Sequence, residues 1–315
     1  MFCDWIIRAI PSDSMAIELR QLRHFIAVAE EMHFGRAAAR LHMTQPPLSQ
    51  SIRQLENELG TPLFVRSSRS VGLSAAGIAL LPEARRMLQQ MEGLPELTRR
   101  AAAGESGRLS VAFVSIADYS VLPNFLRAFR QRYPQVRIDL QEATSDVQVQ
   151  DLAAGRTDLG LLIPPLPERV AAELDYRPVL SEPLVLAAPE GLRGLPARGP
   201  VPLSALAGQP LVLFPRRIAP AFHDAILSCL AQGGLAPEIG QEAIQMQTIV
   251  ALVSAGMGIA LVPQSVSNLK RPGVVYRKLR ETTPSIETGF AWRRDNPSPV
   301  LRAFLSLLSS PKRKN

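Results

Sequence analysis

The sequence predicts an α/β protein with an all-α winged unit at its N-terminus, and three observations support this prediction. Three amphipathic helical patterns and a short strand-turn-strand pattern follow one another within residues 19–77. A long helical pattern then covers residues 74–103. From residue 108 onward, apolar strand patterns alternate with helical patterns, which is typical of βαβ units. We therefore expect a winged helix-turn-helix, a long linker helix and an α/β region, in that order.

The first helical pattern has one apolar stripe. It places Leu22, Phe25, Ile26 and Ala29 on the stripe and leaves Gln21 outside it. Residues at these spacings share one face of a helix, so the stripe is expected to pack on a core. The polar residues of the segment are expected to face solvent.

The second helical pattern, residues 35–43, is short and rich in small residues that let a crossing helix approach closely. Gly35 is expected to form the turn that precedes it. Thr44 follows the pattern as a candidate N-cap, and Pro46 and Pro47 come directly after. Proline is tolerated in the first turn of a helix because the N–H that it lacks has no partner there. These signals predict that a third helix begins at this point.

The third helical pattern has an apolar face and a polar face. Its buried stripe is predicted to consist of Leu48, Ile52, Leu55 and Leu59. The opposite face carries Ser49, Gln50 and Arg53. Glutamine can make paired hydrogen bonds to adenine, serine can contact a base or the backbone, and arginine can bind guanine or phosphate. This face therefore has the chemistry of a helix that reads DNA.

The segment after Gly60 predicts a basic β-hairpin with strands at residues 63–66 and 71–73. Arg66 and Arg69 are expected at its tip. Taken alone, the three helices also fit a plain helical subdomain, and the two arginines also fit a solvated loop. The order of helix starts, polar third-helix face and basic hairpin favours a winged helix-turn-helix that binds nucleic acid.

Short motifs carry a resemblance to a known family. They are residues 19–25, 37–41, 44–49, 52, 55–56, 59–60, 63–64, 66 and 73–77. These motifs closely resemble the DNA-binding domain of LysR-type transcriptional regulators. Residues 109–123, 155–160, 183–189 and 250–263 resemble the effector-binding region of the same family. Within the family, residues 220–222 and 255–263 are most similar to regulators of aromatic-compound and muconate catabolism.

The resemblance and the polar face together predict how the chain contacts double-stranded DNA. The third helix is expected to enter the major groove. Base edges are expected to be contacted by Gln45, Pro46, Ser49 and Gln50. Phosphates are expected to be contacted by Arg53, Arg66 and Arg69, with Thr44 in the same interface.

Composition supports a polyanionic partner without proving one. The chain has 315 residues, of which 46% are hydrophobic, and a net charge of +7. A basic chain suits a nucleic acid. Residues 18–73, however, hold seven arginines against five glutamates, which is a local charge of only +2. Part of the excess lies in the basic tail at residues 312–314.

The cysteine count argues against a metal site or a disulfide switch. Cys3 and Cys229 are the only cysteines, and neither has a nearby cysteine or clustered histidines. We expect no metal, no cofactor and a reducing, cytoplasmic location, with Cys229 packed in a helix. Residues 1–14 resemble neither a secretion signal nor a membrane span, and Met15 is an alternative start.

The long helical pattern needs a partner for its apolar stripe. The stripe consists of Ile78, Leu81, Leu88, Met91 and Leu94. In the family that the chain resembles, this helix packs against its counterpart in a second subunit, so a homodimer or homotetramer is expected. Pro82 and Pro95 are expected to kink or interrupt the helix, because proline removes a backbone donor.

The α/β region is predicted to form two hinged α/β subdomains of the periplasmic-binding-protein type, and its first part, residues 109–163, is predicted to form a mostly parallel sheet. Strands are predicted at residues 109–114, 136–140, 159–163, 183–187, 211–214 and 259–262. Helices are predicted at residues 121–133, 147–154, 221–232 and 299–308. The chain crosses to a second unit and later returns, and such pairs of subdomains hold a ligand in the cleft between them.

These patterns predict a division of the chain into domains. The winged helix-turn-helix covers residues 15–73, the linker helix residues 74–103, and the effector-binding regulatory domain residues 108–315. Within the last, subdomain I comprises residues 108–180 and 283–315, and subdomain II residues 181–282.

Strand ends and helix N-termini of a doubly wound unit offer free N–H groups to the cleft, which favours an anionic ligand. Ser115 directly follows the first strand, and Thr144 and Ser145 open the helix after the second. Their hydroxyls can donate to a carboxylate, or they can simply cap their helices. Ile218 and Phe222 are expected on the opposite wall, and Phe222 equally fits a core position. The resemblance implies that Ser115, Thr144 and Phe222 match positions that hold muconate-like or aromatic acids.

The sequence therefore predicts a sequence-specific DNA-binding regulator controlled by a small or aromatic carboxylate, and not an enzyme. No nucleophile-elbow, zinc-protease, phosphate-loop or dinucleotide motif occurs, and the four histidines are scattered. RNA polymerase is an expected partner and a membrane is not. Two alternatives remain: a solute-binding protein of periplasmic type, and an architectural DNA binder that needs no effector.

Overall fold

The computed structural model describes residues 17–66, 70–236 and 238–309 of the chain. Cys3, the alternative start at Met15, Arg69 and the basic tail at residues 312–314 lie outside these ranges. No helix in the described ranges is long and apolar enough to cross a membrane.

The chain divides into two compact units between Arg99 and Arg100. The first unit contains the helices α1 (Leu19–Glu31), α2 (Phe34–Arg40) and α3 (Gln45–Leu59), the strands β1 (Phe64–Arg66) and β2 (Val71–Leu73), and most of helix α4 (Ala75–Ala102). The two strands pair antiparallel, with Phe64 opposite Leu73. The predicted order of three helices, hairpin and long helix is confirmed.

Helix α1 begins with a capping box that the sequence analysis missed. The N–H of Glu18, the N-cap residue, donates to Oε1 of Gln21 at 2.7 Å. Nε2 of Gln21 donates to Glu58 of α3 at 3.2 Å. Gln21 is 2% exposed. The prediction that Gln21 lies outside the buried stripe is wrong, because its amide serves both the start of α1 and the contact with α3.

The turn between α1 and α2 is made by Met32 and not by Gly35. Met32 has a left-handed φ of 48°, and its N–H donates to the carbonyl of Val28 at 2.9 Å. The imidazole of His33 then caps α2, since its Nδ1 accepts from the N–H groups of Gly35 and Arg36 at 3.0 and 3.2 Å. Gly35 therefore lies in the first turn of α2. The predicted Gly35 turn is wrong because the chain turns at Met32, three residues earlier, and His33 then caps α2.

Helix α3 begins at Gln45 and ends before Gly60, whose φ of 66° is left-handed. Thr44 occupies the N-cap position, as predicted, but its hydroxyl makes no cap hydrogen bond. The physical reason lies in the next residues. A cap oxygen accepts from the second or third N–H of the helix, and here those positions are Pro46 and Pro47, which have none.

Helix α4 runs through Pro82 and Pro95 without interruption, so the predicted interruption is wrong. Each proline removes a single N–H donor, and the remaining backbone bonds keep the helix continuous. Gly77 lets α4 lie close to the hairpin, because a Cβ at this position would stand 2.2 Å from the carbonyl oxygen of Leu63.

The structure divides the predicted apolar stripe of α4. Leu81 packs on the core of the first unit. Ile78 and Leu94 are 63% and 53% exposed, and they are joined by two further exposed apolar residues, Met87 at 47% and Leu97 at 63%. The part of the stripe that is available to a partner therefore differs from the predicted one.

The second unit is an α/β fold. Its first half contains β3 (Ser106–Phe113), α5 (Leu122–Arg132), β4 (Gln135–Glu142), α6 (Ser145–Ala153), β5 (Leu159–Leu162), α7 (Glu168–Ala171) and β6 (Leu174–Pro189). Its second half contains β7 (Leu211–Leu213), α8 (Pro220–Gln232), β8 (Ile239–Glu242), α9 (Met246–Ser254), β9 (Ala260–Pro263), β10 (Val274–Lys278), β11 (Ser285–Arg293) and α10 (Pro299–Ser309). Short 3₁₀ helices cover Ser115–Tyr119, Leu203–Leu206 and Gln264–Leu269.

Strands β3, β4 and β5 are parallel, as predicted for residues 109–163, but the main sheet as a whole is mixed. Its strand order is β4-β3-β5-β11-β6, and β9 and β10 both pair with β6. Strand β3 is parallel to β4 and β5. Strand β11, which comes from the second half of the unit, is antiparallel to β5 and β6.

Strand β6 connects the two parts of the sheet. Residues 174–183 pair with β11, whereas residues 184–189 pair with β9 and β10. The strand was predicted to begin only at residue 183. Its first nine residues were missed because Pro178 and the charged residues around it break the apolar pattern.

Cys229 is 3% exposed on α8, which confirms the prediction of a packed helix residue. Burial raises the pKa of its thiol, and Glu281 adds to this effect. In the described ranges, no group of three or more His, Cys, Asp or Glu side chains could hold a metal ion.

Candidate DNA-binding face and ligand cleft

The polar face of α3 is open to solvent in the first unit. Leu48, Ile52 and Leu55 are fully buried on the opposite face. The predicted contact residues Thr44, Gln45, Pro46, Gln50 and Arg53 are exposed, and Ser49 is half-buried. The helix therefore presents these side chains together, with its apolar stripe fixed in the core.

Two side chains that the sequence analysis did not single out hold α3 in place. Oε1 of Glu56 accepts from the N–H groups of Leu63 and Phe64 at 2.9 and 3.2 Å, which ties the hairpin to α3. Nδ1 of His24 lies 2.8 Å from the hydroxyl of Ser51. The pKa of His24 is lowered because burial disfavours its charged form and because Arg20 lies nearby. Both roles depend on contacts between distant segments, so no local pattern indicated them.

The hairpin arginines are described only in part. The backbone of Arg66 belongs to β1 and pairs with Val71. Its side chain and the whole of Arg69 lie outside the part of the chain that the structure describes. Their predicted contacts with phosphate remain predictions.

The four predicted effector residues line one cleft in the second unit. Ser115, Thr144, Ile218 and Phe222 all border the same inner space of about 50 Å³. An adjoining space of about 230 Å³ shares Ile218 and Phe222 with it. The fold thus brings together Ser115 and Phe222, which are 107 positions apart in the sequence.

The hydroxyls of the cleft do not cap their own helices. The hydroxyl oxygen of Ser115 accepts from the N–H of Met246, on α9 across the cleft, at 3.3 Å. That of Ser145 accepts from the N–H of Ile163 at 3.1 Å. Thr144 stands at the N-cap position of α6 but makes no cap hydrogen bond. The alternative that Thr144 and Ser145 simply cap α6 is therefore wrong, whereas Ser115 satisfies the first N–H of α9.

Three helices begin at this cleft. Thr144 and Ser145 begin α6, Ala219 begins α8, and Gln245 begins α9. The first N–H groups of a helix lack intrahelical partners and carry the positive end of the helix dipole, so the cleft favours an anion. Gln245 was not predicted, although its position just before the apolar helical pattern of α9 follows the same logic as that of Thr144.

The opposite wall of the cleft is apolar. The rings of Phe214 and Phe222 pack at a tilt of 44° with their centroids 4.9 Å apart, and both residues are 4% exposed. None of the described residues that line the inner space carries a charge. Asp146 and Arg217 border the adjoining space instead. The inner cleft therefore combines neutral donors with an apolar wall.

An ion pair fixes the loop that leads into α8. Arg216 donates twice to the carboxylate of Asp224, at 2.8 and 2.7 Å. These bonds, with a smaller contribution from His223, lower the pKa of Asp224 to about 2. The loop between β7 and α8, which carries Ile218, is thereby held against the first turns of α8.

We expect the Asp224→Asn variant to lose stability in a pH-dependent way. The pKa of Asp224 is lower in the folded state than in the unfolded chain, so the ion pair stabilises the fold at pH values above the ordinary Asp pKa of about 4. This stabilisation is lost as the pH falls toward 2. The decrease in Tm should therefore be larger at neutral pH than near pH 3. It should be small, because the pair is exposed. Thermal melts at several pH values, with Asp146→Asn as the control, measure this. A decrease in Tm that is equal at every pH would contradict the assignment.

Comparisons with known proteins agree with this arrangement. The family described as "Bacterial regulatory helix-turn-helix protein, lysR family" matches residues 19–78, and the family "LysR substrate binding domain" matches residues 102–310. The HTH-type transcriptional regulator IlvR of Caulobacter vibrioides is 51% identical over 93% of this chain and 98% of its own length. The HTH-type transcriptional regulator AlsR of Bacillus subtilis is 40% identical over 92% of this chain and 95% of its own length.

A solved structure shows the same fold. The crystal structure of full-length CbnR complexed with its target DNA matches with a TM-score of 0.76 and 32% identity, over 92% of this chain and 97% of that chain. An exposed helix-turn-helix joined to a substrate-binding α/β unit defines a DNA-binding transcriptional regulator and not an enzyme. The chain belongs to the LysR family of transcriptional regulators. The findings favour neither the solute-binding nor the architectural alternative.

Proposed function

We propose that this regulator reads its operator with the polar face of α3 and binds a small carboxylate in the cleft of the second unit. The observation that carries the proposal is the convergence of three hydroxyl side chains and three helix starts on one uncharged cleft with an apolar wall. A carboxylate can accept hydrogen bonds from the hydroxyl and N–H donors of the cleft, and an apolar ligand body can pack on the apolar wall.

The size of the cleft suggests how such a ligand is oriented. The inner space of about 50 Å³ is well below the roughly 150 Å³ of an apolar cavity that holds benzene. The adjoining space of about 230 Å³ is large enough for a ring. We therefore place the carboxylate between Ser115 and Thr144 and the ligand body beside Ile218 and Phe222. An aliphatic acid and an aromatic acid both fit this orientation.

Calorimetric titration tests the proposal directly. The full chain is titrated with benzoate, cis,cis-muconate, acetate and pyruvate, which cover aromatic and small aliphatic carboxylates. Saturable binding of at least one acid, and no binding of the matching amide or alcohol, is the expected result. Binding of the neutral analogue with the same affinity would contradict a site built for an anion.

On the DNA side, we propose that α3 enters the major groove. Gln45, Pro46, Ser49 and Gln50 contact base edges, with Thr44 beside them. Arg53, Arg66 and Arg69 contact phosphates. Support comes from the exposure of the α3 side chains on one face and from the chemistry of glutamine and arginine toward bases and phosphates.

Substitutions in α3 should separate base reading from phosphate binding. Gln50→Ala is expected to weaken operator binding by about 1–3 kcal/mol and to relax specificity at one base pair. Arg53→Ala is expected to weaken binding to all DNA sequences alike. It should also reduce the slope of log affinity against log salt concentration by about one. Fluorescence anisotropy with operator and random DNA measures both effects, and Asn57→Ala, on the same helix, is the control. Equal losses on operator and random DNA for Gln50→Ala would refute its role as a base contact.

We further propose that the active species is a homodimer formed through α4 that assembles into a homotetramer and recruits RNA polymerase in the cytoplasm. The exposed apolar residues of α4 support the first step. A two-fold dimer fits an interrupted palindrome with half-sites on one face of the duplex. We retain the division of the chain into residues 15–73, 74–103 and 108–315 as the working domain description.

A further inference from the structure

Gln148 is a fully buried polar side chain on α6 that lies behind the lining of the cleft. Its Nε2 donates to the carbonyl oxygen of Ala143 at 2.8 Å and to that of Leu161 at 3.2 Å. Ala143 directly precedes Thr144, and Leu161 lies two residues before Ile163, which also lines the cleft. One amide therefore joins the two chain segments that carry Thr144 and Ile163 into the cleft.

Further hydrogen bonds tie the same segments together. The N–H of Val114, which precedes Ser115, donates to the carbonyl of Leu161 at 2.9 Å. The N–H of Ile163 donates to the hydroxyl of Ser145 at 3.1 Å. The ends of β3, β4 and β5 are thus held as one group, with the amide of Gln148 beneath them.

The amide is not explained by packing. Oε1 of Gln148 has no hydrogen-bond partner in the described part of the chain and no contact with solvent. An unpaired buried acceptor is unfavourable. Room for it is provided by Gly160 on β5, where a Cβ would stand 2.9 Å from Oε1. An apolar side chain of the same length would avoid the unpaired acceptor, so the two carbonyls that Nε2 holds are the reason for an amide.

We propose that Gln148 is a positioning residue that orients Thr144 and the N-terminus of α6 toward the carboxylate of the effector. The inference rests on the proposed function, since it assumes that the carboxylate binds there. The carbonyl of Ala143 and the N–H of Thr144 belong to one planar peptide unit. Holding that carbonyl fixes the orientation of the peptide and with it the direction of the Thr144 side chain. Loss of the two bonds lets the peptide rotate, which misaligns the donors.

The first test is Gln148→Met, which keeps the length of the side chain and removes both donated hydrogen bonds. Calorimetry of the full chain with benzoate, cis,cis-muconate, acetate and pyruvate is expected to show about tenfold weaker binding of whichever acid the wild type binds. Operator affinity without any acid should be unchanged. Gln150→Met, at an exposed glutamine on the same helix, is the matched control and should bind like the wild type. Wild-type affinity in Gln148→Met would overturn the proposal.

A double-mutant cycle separates positioning from a general structural effect. If Gln148 acts through Thr144, adding Gln148→Met to Thr144→Val should weaken binding much less than Gln148→Met does in the wild type. Full additivity of the two substitutions would overturn the proposal.

Hydrogen exchange of the unliganded chain keeps the test independent of the effector. Gln148→Met is expected to speed exchange of the amides of Ala143 and Ile163, and to leave that of His223 on α8 unchanged. If no acid binds to the wild type while exchange still rises at these two amides, the carboxylate function fails and the positioning role stands. Unchanged exchange overturns the positioning role. Should Gln148→Met not fold, Gly160→Ala, which crowds Oε1 of Gln148, replaces it with the same expectations.

Discussion

Thr144→Val is expected to weaken effector binding by roughly 10- to 100-fold, because hydrogen bonds to a charged group contribute about 1.5–3 kcal/mol. The substitution keeps the branched shape at Cβ and removes the hydroxyl, which makes no cap hydrogen bond that α6 would lose. Stability should therefore change little, and the loss should appear in calorimetric affinity. Thr248→Val, at an exposed threonine in the first turn of α9, is the control.

The companion substitution Ser115→Ala has two opposing effects. It removes one hydroxyl donor, and it also frees the N–H of Met246, which Ser115 accepts at 3.3 Å. The freed N–H becomes available to a carboxylate, so the loss of affinity should be smaller than for Thr144→Val. If the acid that the wild type binds were bound equally well by Thr144→Val and Ser115→Ala, the binding site would lie elsewhere.

Leu94→Glu is expected to lower operator affinity by about 100-fold or more. Leu94 is 53% exposed on α4, next to other exposed apolar residues. A carboxylate buried in a helix–helix interface without a partner is strongly unfavourable, so the dimer should dissociate. Loss of the second DNA-binding unit then removes an avidity of about 10²- to 10⁴-fold.

Light scattering and anisotropy on the same samples check this expectation. Gln89→Glu introduces the same charge at an exposed position about 140° around α4 from Leu94 and should leave both the dimer and operator affinity intact. A Leu94→Glu variant that remains dimeric, or a monomer with undiminished operator affinity, would refute dimerisation through α4.

Features that depend on local pattern were predictable. The stripe of Leu48, Ile52 and Leu55 is buried as its spacing indicated. The position of Ser115 and Thr144 followed from a general property of parallel strands, whose carboxyl ends meet at one edge and deliver polar residues there. Ile218 and Phe222 were expected in the loop and helix start across the cleft, and the resemblance to a known family supported Phe222, as it did Ser115 and Thr144.

Features that depend on distant contacts were not predictable. Glycine was expected to form the turn between α1 and α2, but Met32 and His33 form it. The prediction failed because the cap that His33 provides cannot be recognised from the sequence alone. The first half of β6 has a polar pattern and is a strand because β11 pairs with it. Gln148 appears in the sequence as an ordinary polar helix residue, and the carbonyls that it holds come together only in the folded sheet.

The most direct measurement of the central claim is nuclease footprinting of the full chain on DNA from the region preceding its own gene, with and without the acid found by calorimetry. We expect the wild type to protect this DNA. We also expect the footprint to change length when the acid is added, because an acid that binds one of the two conformations more tightly shifts the regulator toward that conformation. We expect Thr144→Val to give the unliganded footprint at an acid concentration that saturates the wild type. The same change of footprint in wild type and Thr144→Val at that concentration, or no protected site at all, would contradict control of DNA binding through the cleft.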